Sequence, residues 1–336
     1  MDYVALGKSN LKVSRFCLGT MMFGGKTAEA EGVRILRRAV ELGINFVDTA
    51  DVYAGGKTEE IVGKALEELG AGGRDGVVLA SKAGMKVGPG VNDEGISRFH
   101  FVRAVEASLK RLRTDRIDLF YIHWPMAAMN LEETLRALDD LVRAGKILYV
   151  ACSNFPAWLW CRMNWIAEAK GFVPVGCGQY PYNVIERGLE VEILPMARAM
   201  GWGITIYRPL AVGVLTGKYL GQDGALAKVK EARGEQDERC GRWTAAYAEG
   251  LKKLGAFAQS RGVGMADVAT AWVLGQEAVT SVIVGISKVE QLEENVRGFS
   301  FKLTAEERAE VGKMFPTEVW EEAGGKFPEW RRRADV

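Results

Sequence analysis

Short apolar runs alternate with segments of helical period along most of the chain. The runs Arg15–Gly19, Ile44–Thr49, Val77–Lys82, Ile117–His123, Ile147–Cys152, Gly203–Tyr207 and Ser281–Val284 have the length and composition of strands, and Val173–Gly176 opens a weaker one. Between them, apolar residues spaced three and four apart predict helices over Ala28–Leu42, Lys57–Leu69, Phe99–Leu112, Leu131–Ala144, Trp158–Lys170, Leu189–Met200, Thr244–Arg261 and Met265–Gly275. Most are followed by a glycine (Gly43, Gly145, Gly171, Gly201), the residue that takes a left-handed helix cap without a steric penalty. The strands are continuously apolar rather than alternating, as strands of a parallel sheet covered on both faces are.

Strict alternation of strand and helix leaves two architectures, a closed eight-stranded barrel and an open doubly wound sheet. The open sheet is disfavoured because the first strand does not lead into G-x-G-x-x-G. Its nearest glycines, Gly19, Gly24 and Gly25, have the wrong spacing. The expected fold is an α/β (β/α)8 TIM barrel forming a single domain over residues 1–336. Two short β-like runs, Tyr3–Leu6 and Lys12–Val13, flank a Gly-Lys-Ser-Asn turn and predict an N-terminal hairpin capping the barrel floor. An extra helical segment is expected towards the C-terminus. The polar stretch Gly221–Gly241 is expected to be a long loop.

Composition narrows the function. In 336 residues, 44 Lys+Arg against 43 Asp+Glu leave a net charge of +1, which argues against a nucleic-acid partner. No apolar run approaches the roughly 20 residues of a membrane helix, and the start MDYVALGKSNLKVS has no signal-peptide layout. Five cysteines without a C-x-x-C pair read as free thiols in a reducing compartment, and a cytoplasmic location is expected. With only two histidines, neither close in sequence to other ligand types, no metal site is expected. Neither G-x-S-x-G nor a P-loop occurs.

Barrel enzymes work at the carboxyl ends of their strands. There the second strand ends in Asp48, with Tyr53 in the loop beyond. The third ends in Lys82, and the fourth in His123, followed by Trp124 and Pro125. Each alone has an ordinary explanation: a cap, a packing ring, a solvated charge. Together they bring four ionisable side chains to one rim, flanked by the apolar runs VVLAS and DLFYI, where burial perturbs pKa values.

In these positions, and in others spread over nearly the whole chain, the sequence resembles the aldo-keto reductase superfamily. It is closest to the branch of bacterial reductases and potassium-channel β subunits. The likeness is carried by Leu18-Gly19-Thr20, FVDTADVY (Phe46–Tyr53), Lys82, Ile122-His123-Trp124-Pro125, Ser153-Asn154-Phe155, Gln179, Tyr207…Pro209-Leu210…Gly213…Leu215-Thr216-Gly217-Lys218-Tyr219 and Gly285…Ser287…Gln291…Glu294-Asn295.

The resemblance implies an NADPH-dependent oxidoreductase that reduces aldehydes or ketones, or oxidises the matching alcohols or sugars, by hydride transfer. NADPH (NADP+) is the expected cofactor, with NADH as the second candidate. The alternative is a cofactor-binding regulatory protein of the channel-subunit type. Tyr53 would be the general acid/base. Lys82 would lower its pKa from the ordinary ~10, Asp48 would keep Lys82 charged, and a neutral His123 would orient the carbonyl oxygen. Met22, Phe23, Tyr53 and Trp124 would line the substrate pocket. Ser153, Asn154 and Gln179 would hold the nicotinamide carboxamide, and Tyr207 would stack on the ring. Gly19, Thr20 and Asp48 belong to the same lining. Arg208, Pro209, Leu210, Gly213, Leu215 and Lys218 would surround the pyrophosphate. Gly285, Ser287, Gln291, Glu294 and Asn295, opening the last helix, would meet the adenosine end, with Ser287 and Lys288 facing a 2′-phosphate.

The sequence departs from the family pattern at Arg208, where a small residue commonly precedes Pro-Leu, at Ala151-Cys152 and, mildly, at Ser81. His100 is expected at the surface, and Trp158, Trp160 and Trp165 on a packing face or a contact between copies. The expected partners are a small carbonyl or alcohol substrate, with a homo-oligomer left open and no membrane association.

Overall fold

The computed structural model describes residues 1–126, 130–219 and 238–316. A short antiparallel hairpin, β1 (Tyr3–Ala5) and β2 (Lys12–Ser14), comes first. The next eight strands are β3 (Phe16–Gly19), β4 (Phe46–Asp48), β5 (Val78–Ala83), β6 (Ile117–Ile122), β7 (Ile147–Ser153), β8 (Val175–Pro181), β9 (Gly203–Tyr207) and β10 (Val279–Gly285). They pair in parallel in chain order, and β10 closes on β3. The expected (β/α)8 barrel is therefore the fold observed.

The helices outside it are α1 (Glu29–Glu41), α2 (Lys57–Asp75), α3 (Arg98–Leu112), α4 (Leu131–Arg143), α5 (Ala157–Lys170), α6 (Ile193–Met200), α7 (Glu238–Ala246), α8 (Ala248–Ser260), α9 (Met265–Leu274), α10 (Val289–Gly298) and α11 (Ala305–Lys313). Gly43, Gly145, Gly171 and Gly201 take the left-handed cap as expected, whereas α3 ends on Arg113 at φ 52°. The helix after β10 is not the last, since α11 follows it and supplies the expected C-terminal helical segment.

Several elements differ from the sequence expectation: the helix expected over Leu189–Met200 is a 3-10 turn (Gly188–Glu190) followed by α6, and α2 runs past Gly70 to Asp75. β8 runs well past Gly176, to Pro181, and its pattern is diluted by glycine. A Cβ on Gly178 would lie 2.6 Å from the rings of Trp160 and Tyr180, so packing demands the residue that weakens the strand signal. The helix expected over Thr244–Arg261 is two helices, broken at Tyr247 where φ is −111°. Glu238–Gly241 already belong to α7, which shortens the expected loop, and the rest of that loop, up to residue 237, lies outside the described residues.

The hairpin does cap the floor. Leu6 and Val13 are buried against the inward side chains Cys17, Phe46, Tyr121, Cys177 and Ile283 at the barrel axis. The hairpin turn presses on the start of β9 so closely that a Cβ on Gly7 would lie 2.4 Å from the Gly203 nitrogen.

The register decides which residues reach the other end. Gly19 pairs with Asp48, Asp48 with Ala80, Lys82 with Tyr121, Ala151 with Tyr121, Ser153 with Gln179, Thr205 with Gln179, and Gly285 with Gly19. Side chains two apart on a strand face the same way. Cys17, Phe46, Ala80, Tyr121, Ala151, Cys177 and Ile283 face inward. So do the residues two further on: Gly19, Asp48, Lys82, His123, Ser153, Gln179 and Gly285. Tyr207, two beyond Thr205, completes a ring with one position from each strand.

Gly7→Ala adds a methyl group at φ 58° against backbone. It should lower stability by roughly 2 kcal/mol or more, read as a shift of the urea midpoint at constant slope.

Candidate active site

Lys82 is completely buried. Its Nζ donates to Asp48 Oδ1 at 2.6 Å, to the Thr49 carbonyl at 2.7 Å and to Tyr53 Oη at 3.3 Å. An ammonium has three protons, and all three have acceptors. The other oxygen of Asp48 accepts from Gln179 Nε2 at 2.8 Å. Thr20 Oγ1 donates to the Asp48 carbonyl at 2.8 Å. Asp48 is thus fixed from β5, from β8 and from the end of β3.

Burial works against the charge of Lys82, but Asp48 and Tyr53 outweigh it and hold the ammonium above its ordinary pKa. Tyr53 goes the opposite way from the sequence expectation. Burial raises the phenol by more than Lys82 lowers it, and Asp48 and Asp51 add to the rise. The phenol therefore stays protonated through neutral pH. His123 lies edge-on to Tyr53, with ring centroids 5.9 Å apart at 77°. Burial, and then the charge of Lys82, push its imidazole well below the usual range, so it is neutral. Its Nδ1 is buried without a hydrogen-bond partner among the described residues.

Tyr53 is presented by a tight 3-10 turn, Tyr53–Gly56, that runs through left-handed backbone at Ala54 (φ 47°), Gly55 (φ 63°) and Gly56 (φ 92°). Only glycine takes this conformation freely, so Ala54 costs about 1 kcal/mol. The strain turns the chain back at once into α2 and leaves the phenol over the barrel mouth.

A profile of the aldo/keto reductase family matches residues 15–314. An uncharacterized oxidoreductase of Bacillus subtilis is 36% identical over 98% of this chain and 99% of its own. The L-glyceraldehyde 3-phosphate reductase of Escherichia coli O157:H7 is 34% identical over 100% of this chain and 96% of its own. A probable voltage-gated potassium channel β subunit of Arabidopsis thaliana is 36% identical over 88% of this chain and 90% of its own. The chain belongs to the aldo/keto reductase family. That membership and the oxidoreductase relatives support, in general terms, a carbonyl-reducing oxidoreductase.

The expected cofactor residues of this aldo/keto reductase form three groups. Ser153 Oγ donates to the Gln179 carbonyl at 3.1 Å, Asn154 Nδ2 to Ser153 Oγ at 2.8 Å, and Tyr207 Oη to Asn154 Oδ1 at 2.8 Å. These side chains hold one another beside Asp48. Beyond β9 the backbone is left-handed at Arg208 (φ 57°), Ala211 (φ 46°), Val212 (φ 59°) and Gly213 (φ 93°). Within the turn the Ala211, Gly213, Leu215 and Gly217 nitrogens donate to its own carbonyls, so an anion there would meet the Arg208 and Lys218 side chains. The Arg208 guanidinium lies 5.3 Å from the Tyr207 ring centre, and a Cβ on Gly213 would crowd Lys218 Nζ at 3.0 Å. Leu215 is buried beneath this turn and Pro209 is buried at its start. Two basic side chains beside this turn suit an anionic group such as a diphosphate.

At the far end, Ser287 Oγ and the Ser287 nitrogen both donate to Gln291 Oε1, at 3.1 and 3.0 Å. Gly285, Lys288 and Glu294 are exposed, and Asn295 is half-buried. The N-terminus of α10 already has an anion, because Glu31 Oε1 accepts from the Val289 nitrogen at 3.0 Å. The case for a 2′-phosphate there therefore rests on the Ser287 and Lys288 side chains rather than on the helix end. Gly19 is explained by packing, since a Cβ would lie 2.8 Å from Ile283 Cγ2.

Two expected placements differ. Phe23 is wholly buried under α1, where a Cβ on Gly32 would touch its ring at 3.1 Å, so it does not line the mouth; Met22 and Trp124 are half-buried. His100 is buried, not at the surface, and its Nδ1 lies 3.0 Å from the Asn92 carbonyl. Trp160 packs on Trp202 with ring centres 4.7 Å apart, whereas Trp158 and Trp165 are exposed. Sequence reasoning passed over Asp51 and the pair of the buried Glu59 with the half-buried Arg111 (2.7 Å). The one signal for them is the position of Asp51 and Glu59 on either side of Tyr53.

Asp48→Asn leaves Lys82 buried with no counter-charge and should cost about 3–5 kcal/mol. Adding Lys82→Met should restore much of the loss. A double-mutant cycle by denaturant unfolding measures the coupling.

Proposed function

We propose that this chain is an NADPH-dependent reductase of aldehydes and ketones, or a dehydrogenase of the corresponding alcohols or sugars in reverse, with Tyr53 as general acid and base. The observation that carries this reading is one ammonium, Lys82 Nζ, within hydrogen-bond reach of both Asp48 and Tyr53. A reduced nicotinamide, when bound, supplies two electrons and a hydrogen to a carbonyl carbon. The chain must then supply a proton to the oxygen.

Tyr53 is suited to that. Its phenol is protonated at neutral pH, and as it releases its proton the developing phenolate lies beside Lys82⁺. Asp48 holds the ammonium in place and keeps its charge. A neutral His123 would donate to the carbonyl oxygen and orient the carbonyl without competing as a stronger acid. Ser153, Asn154 and Gln179 would hold the carboxamide, Tyr207 the ring, Arg208 to Lys218 the diphosphate, and Ser287 with Lys288 the 2′-phosphate. Met22 and Trp124, as pocket walls, would favour a small carbonyl with an apolar or aromatic part.

Relatives named as channel subunits raise a second reading, a cofactor-binding regulator with little turnover. The complete Asp48–Lys82–Tyr53 contact favours turnover. Among the described residues no helix is long and apolar enough to cross a membrane.

The test is NADPH and NADH oxidation, followed by nicotinamide absorbance, over aldehydes, ketones, quinones, sugars and L-glyceraldehyde 3-phosphate. Tyr53→Phe should lower kcat by about 100-fold or more while cofactor affinity stays near wild type. Loss of cofactor binding along with turnover would make Tyr53 structural. Tight NADPH binding with no turnover on any substrate would favour the regulator. Lys288→Glu should weaken NADPH more than NADH, and equal weakening would remove Lys288 from the phosphate site.

A further inference from the structure

Behind Tyr53 and Lys82 lies a set of ionisable groups that the chemistry above does not use. Asp51 is only 3% exposed, and neither of its carboxyl oxygens has a well-formed hydrogen bond among the described residues, the adjacent Val52 N–H giving a weak one at most. Its backbone nitrogen donates to the Lys82 carbonyl at 3.1 Å, which ties it to β5. Glu59, in the first turn of α2, is wholly buried. Glu59 Oε1 accepts from Ser81 Oγ at 2.5 Å, and Oε2 takes Arg111 Nε at 2.8 Å and NH2 at 2.7 Å.

Two buried acids thus share one guanidinium, and its hydrogen bonds go to Glu59 and Ser108. Lys82, the cation on the active-site side, is committed to Asp48. Asp51 has no cation of its own, and a buried carboxyl without one keeps its proton. Burial, and then the like charge of Glu59, push it up to about 7, against the weaker pull of Arg111, the Val52 N–H and Lys82.

The remaining charged groups near it lie across a cavity of about 580 Å³ between the Asp51–Gly55 segment, the β5–α3 connection and α3. Lys86, Asp93, His100, Arg103, Glu106 and Lys110 line it with Asp51 and Arg111, and Glu106 is paired with Lys146. Arg103 and Asp93 are 3.8 Å apart, and burial lowers the pKa of His100, which favours its neutral form. The cavity gives a proton a short way in from the surface.

The same groups hold the two catalytic elements together. Arg111 packs on the turn that presents Tyr53, where a Cβ on Gly56 would lie 3.0 Å from Arg111 Cδ. Through Glu59 and Ser81 it also grips β5 one residue before Lys82. We propose that Asp51 is a positioning residue for the Tyr53–Lys82 pair: a buried carboxylic acid whose gain or loss of a proton alters how readily Tyr53 gives up its own, with the Glu59–Arg111 pair as the clamp. This rests on Tyr53 being the proton donor.

The sign is set by charge. Ionised Asp51 adds a negative charge near the phenol and raises its pKa. Reduction, in which Tyr53 donates, is faster with Asp51 neutral and slows as pH rises through about 7. Oxidation, in which Tyr53 accepts, goes the other way.

Three readouts test this. In the cofactor-free protein, infrared difference spectra should show a protonated-carboxyl band that is lost as pH rises through about 7 and is missing from Asp51→Asn. Glu59→Gln should move that loss to lower pH. Tyrosinate absorbance, corrected with Tyr53→Phe, should show Tyr53 ionising at lower pH in Asp51→Asn than in wild type. In turnover, the wild-type reduction rate should fall roughly threefold to tenfold across the window while Asp51→Asn stays flat. A carboxyl band that titrates in the ordinary acidic range, or one that Asp51→Asn does not remove, overturns the proposal. So does an unchanged Tyr53 titration in Asp51→Asn. Absence of turnover on every carbonyl would count against the reductase reading alone, because the infrared and tyrosinate titrations decide the proposal without it.

Discussion

An ammonium with no access to water, as Lys82 Nζ is, tolerates no missing acceptor. The desolvation cost of such an ion is several kcal/mol, and only close, well-directed partners offset it. Here a carboxylate from β4, a carbonyl one residue further on and the phenol of the following loop supply them. Each contact also sets something else in place. The carboxylate is oriented so that its second oxygen meets Gln179, and the carbonyl fixes the exit of β4. The phenol is drawn over the axis and held next to a charge that favours its ionised form. The proton chemistry of the site follows from satisfying that one cation.

The barrel makes this possible by its stagger. Neighbouring strands step along one another, so the inward positions at the carboxyl end form a tilted ring in which Asp48, Lys82 and His123 come from successive strands. Below the ring the inward positions are apolar or small, and the hairpin residues Leu6 and Val13 fill the bottom. Water has no route to Lys82 from below, which keeps the local dielectric low and the electrostatic coupling among the four side chains strong. The strained Tyr53–Gly56 turn completes the arrangement from outside the sheet. Its conformational cost is borne by packing, since α2 follows at once and Arg111 braces the turn from α3.

Much of this was legible because strand ends are marked by a change from apolar to polar residues. Asp48, Lys82 and His123 stand at such changes, and the closed barrel brings strand ends together without any pairing having to be guessed. What could not be read depends on depth or on contacts between distant elements. Phe23 follows the first barrel strand as an active-site wall would, but the loop turns its ring under α1. The glycines of β8 hide the strand they allow to pack. The charge of Lys82 predicts a lowered phenol pKa, whereas the burial of Tyr53, invisible in sequence, outweighs it. Glu59 reads as a solvated helix residue until α2, α3 and β5 are seen to enclose it.

Asp48 and Asp51 show how little the residue type decides. They stand three positions apart, both buried at the same strand end. Asp48 has Lys82 on one oxygen and Gln179 on the other, so its charge is matched and useful. Asp51 faces a carboxylate whose guanidinium is already engaged, so its charge is unmatched. Exchanging their partners would exchange their roles: an arginine freed from Glu59 would make Asp51 an ordinary ion-pair member. A strand end with one carboxyl tied to a cation and one that burial pushes up to about 7 holds its geometry constant while its proton affinity varies. Fixed structure and adjustable acidity thus come from the same strand end, separated by which cation each carboxyl can reach.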